Sequence, residues 1–267
     1  PLDRSARRGP GMTKWVRFQQ AGVAQFGCLN GETVQPHAGS PFDGTATPMG
    51  AAIPAAGLHW LPPCVPGKII GLWNNFRAAA EKNGWATPAE PLYFLKSPDC
   101  ATAHEQAIAA VAPEVGRVAY EGELAVVIGK RAYRVAREDA AAHIFGYTCA
   151  NDVTAIELLF RDSTFAQWTR AKSFAGFGAF GPCIDTEFDA ATANLRTLVG
   201  GRERQNYALN DMFFSPAELV WRLSQDMTLQ PGDLILCGTS LGVLPMKAGT
   251  AVEVVIDGIG TLRNVYG

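Results

Sequence analysis

Six cysteines are scattered along 267 residues with no C-x-x-C pair among them. Neither a disulfide framework nor a thiolate zinc site is expected, and the thiols read as reduced core residues. Charge of one sign is scarce too: the formal net charge is -2, with no basic block beyond Arg4, Arg7 and Arg8. That balance argues against a nucleic-acid partner. No apolar run reaches the roughly 18 residues that span a bilayer, so no membrane segment is expected. Residues 1–12 lack the apolar stretch of a secretory signal. Met12 reads as a natural start, residues 1–12 as a disordered extension, and the cytoplasm as the default compartment.

The rest of the composition is ordinary for a globular protein: 48% hydrophobic and 18% charged residues. The length allows one large domain or two unequal ones. Residues 14–18 and 23–29 read as short strands joined at Ala21-Gly22, and a third strand begins at Thr33-Val34 after the Asn30-Gly31 turn signal. Residues 36–57 are rich in Gly, Pro, Ala and Thr without periodicity. Residues 13–66 are thus expected to form a small N-terminal β unit ending in a stiff Pro-rich connector, with 67–267 as a second, larger domain. Within the latter, 68–71 and 92–96 read as strands and 74–82 as a helix ended by Asn83-Gly84. A short helix is expected over 136–145, stopped by Gly146. Ser215-Pro216-Ala217-Glu218 is a capping box opening a helix to about Gln225. Strands outnumber helices without a βαβ rhythm, which predicts an α+β, mainly β protein.

The chemistry gathers at YEGELAVVIGK, residues 120–130, where two carboxylates run into an apolar strand. Strand residues two apart share a face about 6.8 Å apart, so Glu121 and Glu123 project side by side. Like charges at the mouth of a buried strand repel and are costly to desolvate. A bound divalent cation relieves both costs, and a solvated edge face is the competing reading.

Four stretches in order resemble the fumarylacetoacetate hydrolase superfamily: YEGELAVVIGK (120–130), GYTCANDVTA (146–155), RAKSF…GPCI (170–184) and LQPGDLILCGTSLGV…GTAVEVVIDGIGTL (229–262). The WVRF…NGETV opening is similar to the small N-terminal domain of many bacterial members. The resemblance implies a β-sandwich roll, a homodimer, and a Mg²⁺ or Mn²⁺ ion at the catalytic centre. It places the family's E-x-E…D ligand set on Glu121, Glu123 and Asp152. For Asp152 alone, capping a helix that starts near Thr154 is the alternative. The family lysine falls on Lys172, where a cation would pair with a substrate carboxylate or a developing enolate. Gly238-Thr239-Ser240-Leu241-Gly242 corresponds to the G-T-P-x-G loop, with Ser240 in place of proline. Its N–H groups and the Thr239 hydroxyl are candidates to hold a substrate carboxylate, a plain turn being the alternative.

Two departures from the hydrolytic members stand out. Their water-activating His falls on Arg77 and their Glu near Ala80, while Glu81 lies about 100° around the helix from it. An arginine stays protonated and cannot act as a general base, which leaves Arg77 as a candidate substrate contact. The Arg and Gln that follow the metal aspartate in hydrolases are Ile156 and Leu159 here; Arg161 and Arg170 are candidate replacements. The 72–77 segment resembles the decarboxylase half of the bacterial homoprotocatechuate-pathway decarboxylase/isomerase, formally a 5-oxopent-3-ene-1,2,5-tricarboxylate decarboxylase and 2-hydroxyhepta-2,4-diene-1,7-dioate isomerase. This resemblance implies decarboxylation or isomerisation of a small 2-oxo or 2-hydroxydienoic dicarboxylate, through an enolate stabilised by the ion and Lys172, in aromatic catabolism. His104, in the loop before the metal strand, is a candidate acid or base, exposure being the plainer reading. Two other functions stay open: C–C hydrolysis of an acylpyruvate using His104 or Glu81, and a non-catalytic small-acid binding protein.

Overall fold

The computed structural model describes residues 14–267; the expected extension over 1–12 lies outside the described residues. The chain is mainly β. Its principal strands are β1 (Lys14–Gln20), β2 (Val23–Asn30), β3 (Thr33–Ala38), β4 (Ile69–Trp73), β5 (Leu92–Lys96), β6 (Gly122–Ile128), β7 (Ile144–Asp152), β8 (Gly178–Asp185), β9 (Asn194–Val199), β10 (Arg202–Ala208), β11 (Leu234–Leu236), β12 (Thr250–Ile256) and β13 (Gly260–Tyr266). One large sheet runs β3-β2-β1-β8-β7-β6-β11-β4-β5, with shorter strands at its margins. A second sheet carries β13-β12-β9-β10, and a small third one pairs Val118–Ala119 with Thr154–Ala155 and Pro245–Met246.

β6 lies at the heart of the large sheet and is buried along its whole length. Its alternation sorts the core into two layers. Leu124, Val126 and Ile128 join one apolar cluster, Ala125 and Val127 the other. A strand covered on both faces carries a continuous apolar run, and Leu124 to Ile128 is such a run.

The N-terminal strands do not form a sheet of their own. β1 pairs with β8 in the register Lys14↔Asp185 and Trp15↔Ile184, so they extend the large sheet. The β1–β2 turn sits at Ala21 and Gly22, both at positive φ, as the turn signal predicts. The stretch 36–57 is more ordered than its composition suggests, with short strands at Thr47–Pro48 and Ile53–Pro54 pairing onto β3.

Two helical expectations shift. Helix α1 spans Arg77–Asn83 and not 74–82, because Asn74 takes positive φ and Phe76 bridges to Met212. Its end is as expected, at Gly84 in the left-handed conformation. The segment 136–145 is a 3₁₀ stretch over Arg137–His143, and Ile144 and Phe145 already belong to β7. Gly146 is no helix stop: a Cβ there would lie 2.4 Å from the Asp185 carbonyl oxygen, so it permits the close approach of β7 to β8. The capped helix runs over Pro216–Asp226, its Ser215 hydroxyl accepting the Glu218 N–H at 3.4 Å.

Candidate active site

Antiparallel pairing of β6 and β7 builds the site. The register Gly122↔Asn151 and Glu123↔Ala150 brings the start of β6 to the end of β7, so Glu121, Glu123 and Asp152 converge. Their carboxylate oxygens lie within 4.8 Å of one another. Backbone ties fix the approach: the Asp152 N–H donates to the Glu121 carbonyl at 2.9 Å, and the Glu121 N–H to Asn151 Oδ1 at 3.0 Å. Asp152 is not a helix cap. The helical turn Ile156–Leu159 begins after Ala155, without any side-chain cap.

Two lysines meet this acidic group. Lys172, at the end of the short helix Trp168–Lys172, donates to Asp152 Oδ2 at 2.5 Å and to Glu121 Oε1 at 2.9 Å. Lys96, the last residue of β5, has no exposed side-chain surface and bonds Asp152 Oδ1. Burial would raise the Asp152 pKa, but Lys172 and Lys96 outweigh it and hold the carboxyl below the ordinary value. Burial alone would lower the Lys172 pKa; Asp152, Glu121 and Glu123 overcome that and keep its ammonium charged. Glu123 is the opposite case. Burial first, then the charges of Asp152 and Glu121, push its pKa well up.

These residues fit a hard cation. Glu123 Oε2 accepts the Gly238 N–H at 2.7 Å, while Oε1 is buried without a hydrogen-bond partner. A buried carboxylate oxygen left unpaired is costly unless something positive meets it. The donor set is all oxygen, as Mg²⁺ or Mn²⁺ prefer. A divalent ion would supply the positive charge that favours the ionised form of Glu123.

A cavity of about 350 Å³ opens over this centre, at the small end of ligand pockets. Glu121, Thr154, Lys172 and Thr239 line its floor. The 238–242 loop is pinned by Gln205, whose Nε2 donates to Thr239 Oγ1 at 2.8 Å and whose Oε1 accepts the Gly122 N–H at 3.0 Å. The Thr239 hydroxyl donates to the Gly122 carbonyl at 2.9 Å. The Gly238 N–H and the Thr239 hydroxyl are thus engaged with the protein itself. Ser240 Oγ and Asn74 Oδ1, both buried in residues of the wall, have no partner among the described residues.

The remaining candidates lie elsewhere. Arg77 bonds the Met212 carbonyl with its guanidinium 5.0 Å from the Phe213 ring, and it does not line the cavity. The first turn of α1 faces residues 211–213, and Ala79, Lys82 and Asn83 supply the wall. His104 also lies outside the cavity lining, and its Nδ1 accepts the Arg263 N–H at 3.0 Å. Glu81 is exposed and does not line the cavity. Arg161 turns to the Glu114 and Val115 carbonyls and Arg170 to Gln167, so neither restores the absent polar contacts.

Sequence reasoning missed Lys96 and Gln205. The alternation in Leu-Tyr-Phe-Leu-Lys puts Phe94 and Lys96 on one buried face, which was a usable signal for the lysine. Gln205 sits in a strand of otherwise exposed polar residues and offered none.

Comparison with known proteins agrees with this geometry. Residues 68–266 match the family model for the fumarylacetoacetate (FAA) hydrolase C-terminal domain, and residues 13–63 match the Rv2993c-like N-terminal model. The chain is 37% identical over 253 residues to protein Rv2993c of Mycobacterium tuberculosis, covering 91% of this chain and 93% of that one. It is 36% identical over 222 residues to the oxaloacetate tautomerase YisK of Bacillus subtilis, covering 79% and 73%. The crystal structure of a 2-hydroxyhepta-2,4-diene-1,7-dioate isomerase from Mycobacterium marinum superposes with a TM-score of 0.86 at 35% identity, covering 95% and 98%. With residues 68–266 matched by the family model and relatives of 36% and 37% identity aligned over more than two thirds of its length, the chain belongs to the fumarylacetoacetate hydrolase family.

Proposed function

We propose that this enzyme is a metal-dependent tautomerase or isomerase of small 2-oxo acids and their 2-hydroxydienoic forms, with decarboxylation open to the same enolate. The observation that carries the reading is the Lys172 ammonium, held between Glu121 and Asp152 on the floor of a cavity whose described lining contains no histidine and no second free carboxylate. The tautomerase and isomerase names of the Bacillus and Mycobacterium relatives support it.

Glu121, Glu123 and Asp152 would hold a Mg²⁺ or Mn²⁺ ion, which when bound supplies Lewis-acid polarisation of a 2-oxo acid's carboxylate and keto oxygens. Lys172 is the protein's own contribution. Its pKa is raised, so it remains an ammonium that donates to the developing enolate oxygen and does not take up a proton from carbon. Ser240 Oγ and Asn74 Oδ1 are spare polar atoms for orienting the substrate. In tautomerisation a C–H bond at carbon 3 breaks and its proton passes to solvent water, acting as a proton carrier and not as a nucleophile, while the keto oxygen gains a proton and becomes an enol O–H, or the reverse. In decarboxylation of a 2-oxo acid that carries a second carboxylate on carbon 3, the electron pair of the bond to that carboxylate enters the 2-oxo group as CO₂ departs, giving an enolate that Lys172 would stabilise in the same way. Neither outcome needs an activated water, and neither Glu81 nor His104 lies in the cavity lining to activate one.

The test is enol-to-keto conversion of two probes, oxaloacetate and phenylpyruvate, with Mn²⁺, with excess EDTA, and in Glu123→Gln. Acceleration of at least one probe above the metal-only background, lost in both controls, is the expected result. No acceleration of either, with acetate released from acetylpyruvate, would return the enzyme to the hydrolases.

A further inference from the structure

Away from the carboxylates the cavity wall is aromatic and continuous. Lys172 Nζ lies 4.9 Å from the Phe94 ring centroid, and Trp168 stacks on Phe94 at 5.0 Å with their planes 14° apart. Trp168 meets Trp73 edge-on at 6.4 Å, and Trp73 meets Trp85 at 4.9 Å. All four of these rings line the cavity. The path thus leads from the reactive ammonium to the mouth, where Trp85 keeps 39% and Phe160 67% of its surface exposed. Gly71 permits the inner part of this wall: a Cβ there would lie 2.3 Å from the Phe94 ring, so no other residue leaves Phe94 in place across β4.

Positive charge along the lining is sparse. Lys172 is committed to Glu121 and Asp152, and Lys82, on the last turn of α1, is exposed. Apart from Lys82 at the rim, the aromatic side of the lining offers no cation to pair a carboxylate. Trp rings present flat, polarisable faces that favour offset stacking with another ring, and desolvating an unpaired carboxylate against them is unfavourable.

We infer that the pocket selects 2-oxo acids whose tail is an aryl or similarly flat apolar group, gripped by Trp73, Trp85 and Trp168, instead of a second carboxylate. This rests on the 2-oxo acid reading above and names its substrate class. The 2-oxo acid end sits at the carboxylates and Lys172, and the ring on carbon 3 lies along the tryptophan wall. Trp73 and Trp85 are specificity residues; neither reaches the reacting atoms.

The test is calorimetric titration of the full chain with Mg²⁺, using phenylpyruvate and oxaloacetate as probes, in the wild type, Trp73→Ala, Trp85→Ala and Lys82→Ala. Phenylpyruvate is expected to bind at least tenfold more tightly than oxaloacetate. Either tryptophan variant should reduce that preference severalfold, while Lys82→Ala leaves it unchanged. Trp85 is partly exposed, so its variant keeps the test valid if Trp73→Ala fails to fold. Equal affinities, or tighter oxaloacetate binding that Lys82→Ala weakens, would overturn the inference. Turnover separates the two proposals. An aryl preference in binding without enol conversion of either probe leaves the wall assigned and the tautomerase reading wrong. Conversion of oxaloacetate without an aryl preference does the reverse.

Discussion

The Gly238 N–H donates to Glu123 Oε2 across 2.7 Å, leaving the opposite oxygen of that fully buried carboxylate with no hydrogen-bond partner. The loop after β11 thereby fixes a carboxylate presented by β6, an oxygen of which lies within 4.8 Å of oxygens of Glu121 and Asp152. Outer contacts of this kind fix ligand geometry in metal sites and are costly to lose.

Glu123→Gln keeps the shape and removes the charge. Because burial and two neighbouring carboxylates already disfavour the ionised form, the metal-free variant should be at least as stable as the metal-free wild type. Thermal melts should show Mn²⁺ stabilising the wild type and not the variant, with turnover falling by more than about 100-fold. Equal Mn²⁺ shifts in both would remove Glu123 from the ligand set.

Lys96 never reaches the cavity lining yet holds the outer oxygen of Asp152. Lys96→Met should cost about 3 kcal/mol in urea unfolding, since it strands part of a buried charge. An unchanged unfolding midpoint would mean that Lys172 alone compensates Asp152.

Gln205 joins the 238–242 loop to β6 through both ends of its amide. Gln205→Leu should lose about 2 kcal/mol by leaving the Gly122 N–H unpaired in the interior. It should also loosen the loop, so KM rises with kcat. A stability loss with unchanged kinetics would confine Gln205 to a structural role.

His104 supplies a pH dependence. Burial, more than the opposing pull of Glu105, lowers its pKa, and its Nδ1 must stay unprotonated to accept the Arg263 N–H. The unfolded chain takes up the proton at about pH 6.5, the folded chain only at lower pH. Stability is therefore unaffected above about pH 6.5, declines as pH falls toward the folded-state pKa, and levels off below it. His104→Gln should flatten that part of the melting-temperature profile; parallel profiles would contradict it.

The parts of the site that repeat along the chain were legible in advance. Glu121 and Glu123 announce themselves by entering an apolar strand two residues apart; the resemblance carried Asp152 to a position that the β6–β7 register brings beside them, and Lys172 to the end of a short helix from which it bonds Glu121 and Asp152. The parts that were not legible are set by contacts distant in sequence. The role of Gln205 exists only because β10 passes under the 238–242 loop, and the Arg77 side chain lies where Met212, 135 residues away, and Phe213 hold it. The 3₁₀ segment at 137–143 failed for a similar reason: Gly146 serves the Asp185 strand opposite it, not the helix before it.

Arg77→His tests the departure from the hydrolases. With the guanidinium packed on Phe213, a histidine in its place is not carried into the cavity, so the variant should release no acetate from acetylpyruvate. Acetate production by the variant alone would show that α1 can turn this position inward.

The most direct measurement is proton NMR of a 2-oxo acid incubated in D₂O with the enzyme and Mn²⁺ removed before acquisition, alongside acetylpyruvate in a parallel sample. The account predicts enzyme-dependent deuterium at carbon 3 of the 2-oxo acid, abolished in Lys172→Met and Glu123→Gln, and no acetate. Acetate from acetylpyruvate without any deuterium exchange would contradict it, because water and not the enolate would then be the reacting species.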